Sequence, residues 1–197
     1  MMMPKLSLLI SLVALNFLGA CGATTTTVTA PPKFEADKYQ PLRMNARRME
    51  IIENWQMPVV APYIGYLADP APSNVVIDWA SRTLLPAGGS GELVLDISRA
   101  SLTRTKLPRS AGLKSLISDE QESKIEVRIE GRLMWLQPVG GFQGMIELSA
   151  RHSVTIPESS TANELNIAVQ EALLVAVDLL DKQAREEVAK IPNITVP

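Results

Sequence analysis

The chain has 197 residues, 46% hydrophobic and 20% charged, with a formal net charge of −2. That near balance of 19 basic and 21 acidic residues leaves no electrostatic footprint for nucleic acid. A single cysteine and a single histidine exclude an intramolecular disulfide, a histidine-based triad and a zinc site built from several histidines.

The chain opens on a leader. Lys5 precedes an apolar stretch from Leu6 to Leu18, which ends in Leu18-Gly19-Ala20-Cys21. A basic residue, roughly a dozen apolar residues and small residues at the cut form the layout of a secretory signal peptide. The stretch is shorter than the ~20 residues of a spanning helix, and Asn16 interrupts it. No later segment is apolar enough to span. A cysteine at this place resembles the lipobox of bacterial lipoproteins. The resemblance implies removal of residues 1–20, a diacylglycerol on the Cys21 sulfur and an acylated amine. Two or three acyl chains hold a protein stably at a membrane where one holds it marginally. Gly22, rather than aspartate, resembles the outer-membrane sorting pattern of diderm bacteria, which leaves the inner membrane as the second choice. A lone thiol is elsewhere a small buried residue or a nucleophile. The apolar run directly before Cys21 weighs against both.

Residues 21–36 carry the cysteine and a Thr/Pro-rich tether with no apolar period, ending in Pro31-Pro32-Lys33-Phe34. One domain is expected over 37–191, with a tail at 192–197. Residues 44–52 read as a first strand, with Met49 and Ile51 opposite Arg48 and Glu50. Residues 55–72 are apolar but hold four prolines, which forbid a regular strand or helix and predict an irregular loop.

Ser73 is placed to cap a helix with Val75, Val76, Trp79, Ala80, Thr83 and Leu84 on one face, ending before Pro86. Three long strands follow. In the first, the inward set Leu93, Leu95 and Ile97 shifts to Ala100 and Leu102, which predicts a β-bulge near Ser98-Arg99. The second runs over 123–137. Ile125, Val127, Ile129, Leu133 and Trp135 alternate with Lys124, Glu126, Arg128, Glu130 and Arg132, the pattern of an antiparallel sheet with one wet face. Pro138-Val139-Gly140-Gly141 reads as the turn into the third, in which Ile146, Leu148, Ala150, His152, Val154 and Ile156 share a face. A long helix over 161–190 starts with a Thr161/Glu164 capping box. Its stripe is Leu165, Ala168, Val169, Ala172, Leu173, Ala176, Leu179 and Leu180, and it fades after Asp181, so the last turns are expected to project into solvent.

The order β-α-β-β-β-α predicts an α+β fold, a two-layer sandwich of a four-stranded, mainly antiparallel sheet covered by two helices. A lipobox, a Thr/Pro tether and this element order resemble the auxiliary lipoproteins of ABC-type lipid transport and the lipoprotein plug of the lipopolysaccharide translocon. The stretches 74–80 and 91–101 are also similar to a family of uncharacterised proteobacterial lipoproteins.

Few groups suggest chemistry. His152 falls among apolar positions and reads as a buried or edge histidine with one hydrogen bond. Glu126, Glu130 and Glu147 oppose Arg128, Arg132 and Arg151 and read as charge pairs on a wet face. Asp119, Glu120 and Glu122 lack the spacing of a calcium loop. Gly88-Gly89-Ser90-Gly91 follows a helix and precedes a strand, the reverse of a phosphate-cradling loop. Neither a catalytic set nor a cofactor or metal site is expected. Two segments stand out as contact candidates. Arg99, Arg104, Lys106, Arg109 and Lys114 occur with no acid between Asp96 and Asp119, a run suited to anionic headgroups or an acidic partner. Trp55, Met57, Tyr63 and Tyr66 form an aromatic-rich loop of the kind found at interfaces.

The expected role is that of a membrane-anchored, non-enzymatic envelope lipoprotein, an accessory or assembly subunit beside a membrane protein or lipid-transport complex. A stand-alone lipid or small-ligand binding module is the alternative, and a carboxylate-based hydrolase the remote one.

Overall fold

The computed structural model describes residues 29–108, 122–138 and 142–197. Cys21 with its leader, Arg109, Lys114, the acidic group at 119–120 and the turn residues 139–141 lie outside the described residues. In chain order the elements are β1 (Leu42–Met44), β2 (Arg48–Glu53), α1 (Pro72–Thr83), β3 (Leu84–Pro86), β4 (Glu92–Lys106), β5 (Glu122–Gln137), β6 (Phe142–Pro157) and α2 (Ala162–Val188). Single 3-10 turns lie at Ala36–Lys38 and Gly65–Leu67.

The architecture is α+β, as expected. Its main sheet has the order β2-β4-β5-β6. β4, β5 and β6 pair antiparallel, while β2 runs parallel to β4. A parallel neighbour needs a crossover, and the loop 54–71 with α1 supplies it. Helix α1 lies over β4, and α2 lies over β5 and β6. The inner face of the sheet is the one the alternation marks. Leu93, Leu95, Ile97, Ile125, Val127, Ile129, Leu133 and Trp135 are all buried, and they meet Val75, Val76 and Trp79 of α1 and Ala172, Leu173 and Leu180 of α2. Each such side chain contributes roughly 1.5–3 kcal/mol by leaving water. The register of β4 on β5 shifts between Ile97 and Arg99, the bulge that the displaced apolar set predicts.

The residues expected to form one first strand form two. Asn45, Ala46 and Arg47 separate β1 from β2, and the Asn45 carbonyl is held by Trp135 Nε1 at 2.8 Å and by Gln137 Nε2 at 2.9 Å. β1 pairs instead with β3, parallel, so Leu84 ends the helix and starts a strand. Gly91 closes this knot. A Cβ there would lie 2.5 Å from the Asn45 carbonyl oxygen, so only glycine fits. Helix α1 begins two residues earlier than a cap at Ser73 would place it. Pro72 takes the first helical position, where its missing N–H is not needed, and Ala71 is the cap.

The end of α2 does not project. Ala184 and Val188 are buried, and Leu179, assigned to the stripe, is 43% exposed while Val177 takes its place. The C-terminal residues are also built in. Asn45 N–H donates to the Ile194 carbonyl at 2.8 Å, Val196 N–H to the Arg43 carbonyl at 2.9 Å, and Ile194 is buried. Hydrogen bonds rather than apolar period hold this segment, so the fading stripe is a poor guide to where order stops. Two clasps fix α2. Its N-terminus carries the predicted capping box between Thr161 and Glu164. Asp181 accepts from Trp79 Nε1 of α1 at 3.1 Å and pairs with Arg185 at 2.7 Å. On the open edge of β6, Gln183 bonds both the Ser149 N–H and the Glu147 carbonyl.

Leu95→Ala is expected to lower the unfolding free energy by about 2–5 kcal/mol, read from urea titration. Thr161→Ala is expected to cost about 1 kcal/mol, because it removes one cap and no core volume. A Leu95→Ala cost no larger than that of the cap would contradict the packing described.

Candidate functional site

The strands and α2 give the sandwich two ends. One carries the close of β4, the start of β5, the close of β6 and the start of α2. The other carries Gly91, Asn45, Trp135 and the C-terminal residues. Between them lie the 16 residues of β5, about 50 Å at the rise of an antiparallel strand.

The N-terminal segment runs as a strap along α2 between these ends. The Thr29 carbonyl accepts from Asn163 Nδ2 at 3.1 Å, beside the first turn of α2. Phe34 stacks on Tyr39 with 6.0 Å between ring centroids. The Tyr39 hydroxyl donates to Asp178 at 2.6 Å, and the Gln40 carbonyl accepts from Arg185. Burial and then the hydrogen bond to Asp178 push the Tyr39 phenol far above its ordinary range, so it stays neutral. Part of the segment expected to be tether, Thr29 to Ala36, is therefore seated on the domain.

The loop 54–71 sits at the α2 N-terminal end, against the second half of β4. β2 covers that strand only as far as Ile97, with Asn54 N–H reaching the Ile97 carbonyl at 2.9 Å. Beyond the bulge the loop takes over. Ile64 N–H donates to the Leu102 carbonyl at 2.9 Å and Arg104 N–H to the Pro62 carbonyl at 2.8 Å, around a Tyr63–Thr103 bridge. The aromatic loop and the described part of the basic run are therefore one surface.

Within that surface the nominated residues divide. Trp55 packs on the core beside Tyr63 at 6.2 Å, and the Arg99 guanidinium lies 5.5 Å over its ring. Met57 is half-buried against Gly65, where a Cβ would lie 2.5 Å from its sulfur. Trp55, Met57 and Tyr63 are half-buried, and of the four only Tyr66 is exposed, at 54%. Its neighbours Val59, Val60 and Leu67 are more exposed still, at 74%, 65% and 58%. Aromatic content misses them. The readable signal is that residues 54–68 contain no charged side chain.

The basic run is partly neutralised. Arg99 pairs with Glu130 at 3.1 Å and Lys106 with Glu158. A polar cleft of about 420 Å³ opens between Arg104, Lys106, Ser123 and Glu158, and the buried Ser123 Oγ has no hydrogen-bond partner there.

The outer sheet face carries charge pairs, although not always the facing ones. Arg132 faces Glu147 on one side and Asp96 on the other, and bonds Asp96 at 3.0 Å. Arg128 and Arg151 face each other and are drawn apart, Arg128 to Glu130 on its own strand and Arg151 to Glu126 at 2.8 Å. Hydrogen bonds from Arg151 and then Lys124 hold the Glu126 carboxyl below the ordinary glutamate range. His152 is half-buried at the edge strand. Among the described residues no group of His, Cys, Asp and Glu could hold a metal ion, and no helix is long and apolar enough to cross a membrane. Between sheet and helices the interior cavity is about 10 Å³, lined by Val76, Trp79, Leu95 and Leu180 among others. That is room for one water at most.

No family model and no curated protein matches the chain. A solved structure of a minor lipoprotein from Acinetobacter baumannii aligns with 76% of this chain and 95% of its own at 12% identity, with a TM-score of 0.38. A likeness of that size carries no argument about this chain.

Because the Glu126 pKa is depressed on folding, its stabilisation is present at neutral pH and is lost as pH falls from the ordinary glutamate range through the lower folded value. Glu126→Gln is expected to be less stable at pH 7 and to show a flatter loss of stability below about pH 5. Denaturant midpoints measured across pH 3–7 check both. An unchanged acid slope would remove Glu126 from the account.

Proposed function

We propose that the protein is an envelope lipoprotein, held at a membrane by acyl chains on Cys21, whose work is done by docking rather than by catalysis. The observation that carries this reading is the run Leu18-Gly19-Ala20-Cys21 directly after an apolar leader. The chain beyond it is consistent in two respects. Thr29 is already seated on the domain, so the anchor stands only a short way from a folded body. That body presents an apolar loop, Val59 to Leu67, and ion-paired strands.

The docking role is that of an accessory or assembly subunit of an envelope membrane protein or lipid-transport complex, with the outer membrane, periplasmic face, as its favoured site. A carrier that encloses a lipid between sheet and helices needs a cavity of several hundred Å³. The pocket of about 10 Å³ between sheet and helices is far smaller than that and favours docking over that alternative.

Expression of the full precursor in a diderm bacterium tests the anchor. The expected result is a mature N-terminal peptide beginning at Cys21 with the mass of a diacylglyceryl group and an amide-linked acyl chain. Cys21→Ser is expected to accumulate uncleaved precursor. Crosslinking of the mature protein in its own membrane, followed by purification, tests the docking role. A reproducible membrane-protein partner is expected, and recovery of bulk lipid alone would overturn it.

A further inference from the structure

We propose that the end of the sandwich bearing Thr29 and the loop 54–71 rests on the lipid surface, with Val59, Val60, Tyr66 and Leu67 entering the interfacial layer of the bilayer. This rests on the reading of Cys21 as the acylated residue.

Reach is the first argument. Seven residues separate Cys21 from Thr29. Eight steps of extended chain span at most about 29 Å, and Thr29 is fixed beside the start of α2. The opposite end of the sandwich lies about 50 Å further along the strands. An anchor of that length cannot bring the Asn45–Gly91 end to the bilayer while the chain leaves from the other. Only the α2 N-terminal end, or a flank beside it, comes down.

Composition separates the end from the flanks. The outer sheet face presents Lys124, Arg128, Arg132, Glu147 and Arg151, all costly to bring against hydrocarbon. The loop presents no charge from Asn54 to Ala68. Among the described residues five large apolar side chains are more than half exposed, and four of them are Val59, Val60, Tyr66 and Leu67. The fifth, Met145, lies at the far end opposite Met134. Tyrosine suits the interface because its ring is apolar and its hydroxyl stays wet. The loop is also held in place before any contact is made, by the hydrogen bonds of Pro62 and Ile64 to β4.

Charge has the smaller part. Lys106 is matched by Glu158 and Arg99 by Glu130, so among the described residues of the basic run only Arg104 is left without an acid. Attachment of this end therefore depends on apolar insertion and survives salt.

The acylated protein offers a direct test, because its one native thiol is blocked and an engineered cysteine is then unique. Val60→Cys and, separately, Met145→Cys carry an environment-sensitive fluorophore in the full mature lipoprotein. Each is reconstituted in phosphatidylcholine vesicles with and without a nitroxide on the upper acyl chain. Several-fold quenching at position 60 is expected, with none at 145. It should persist at about 1 M salt, where the screening length is ~3 Å. Equal quenching at both positions, or none at position 60, would overturn the proposal. A position-60 label shielded in native envelope membranes but unquenched in vesicles would assign the loop to a protein partner and also overturn it. Mass spectrometry of the same sample separates the two readings. An unmodified Cys21 overturns the lipoprotein reading itself, whereas an acylated Cys21 with an unquenched label overturns the lipid contact alone.

Discussion

β4 is the strand on which everything else is arranged, and it is longer than its neighbour on one side. β2 has six residues against its fifteen, so its backbone groups beyond Ile97 need another partner. Unpaired N–H and C=O groups of a buried strand cost too much to leave bare. The chain solves this with the bulge at Ser98 and with Pro62 and Ile64, which take up the edge where β2 stops. The irregular loop is thus a structural member. The three prolines that deny it regular structure, Pro58, Pro62 and Pro70, also fix its shape, and its most exposed side chains are apolar ones.

The same economy governs the strap and the C-terminal residues. Neither has a period that marks it as ordered. Thr29 to Gln40 is held along α2 by single polar contacts, each worth roughly 0.5–1.5 kcal/mol, aided by the Phe34–Tyr39 stack. The C-terminal residues clasp β1 through main-chain bonds at Asn45 and Arg43. These small terms hold both segments against the body of the domain.

Much of the fold is legible in the sequence because burial leaves a period behind. The alternation of β5, the displaced apolar set in β4 and the Thr161/Glu164 box each translate into the observed element. What is not legible is held by main-chain groups, which side-chain patterns do not record. The Asn45 carbonyl is held by Trp135 and Gln137, some ninety residues away. The site follows the same division. Large aromatic residues invite assignment to an interface, yet Trp55 packs on the core and Tyr63 is half-buried against it. Valines and a leucine of the same loop are left outside, a distinction that only the pairing of Pro62 and Ile64 with β4 creates.

The latch of Gln183 on β6 has a further consequence. β6 is the outermost strand of the main sheet, sixteen residues long, and its far side offers a row of backbone donors and acceptors. Such a row is a template for another strand. One amide side chain imitates that strand by filling the donor at Ser149 and the acceptor at Glu147, midway along the edge. No run of free positions longer than half the strand remains on either side. A single glutamine side chain thus interrupts the template that the edge would offer to another strand.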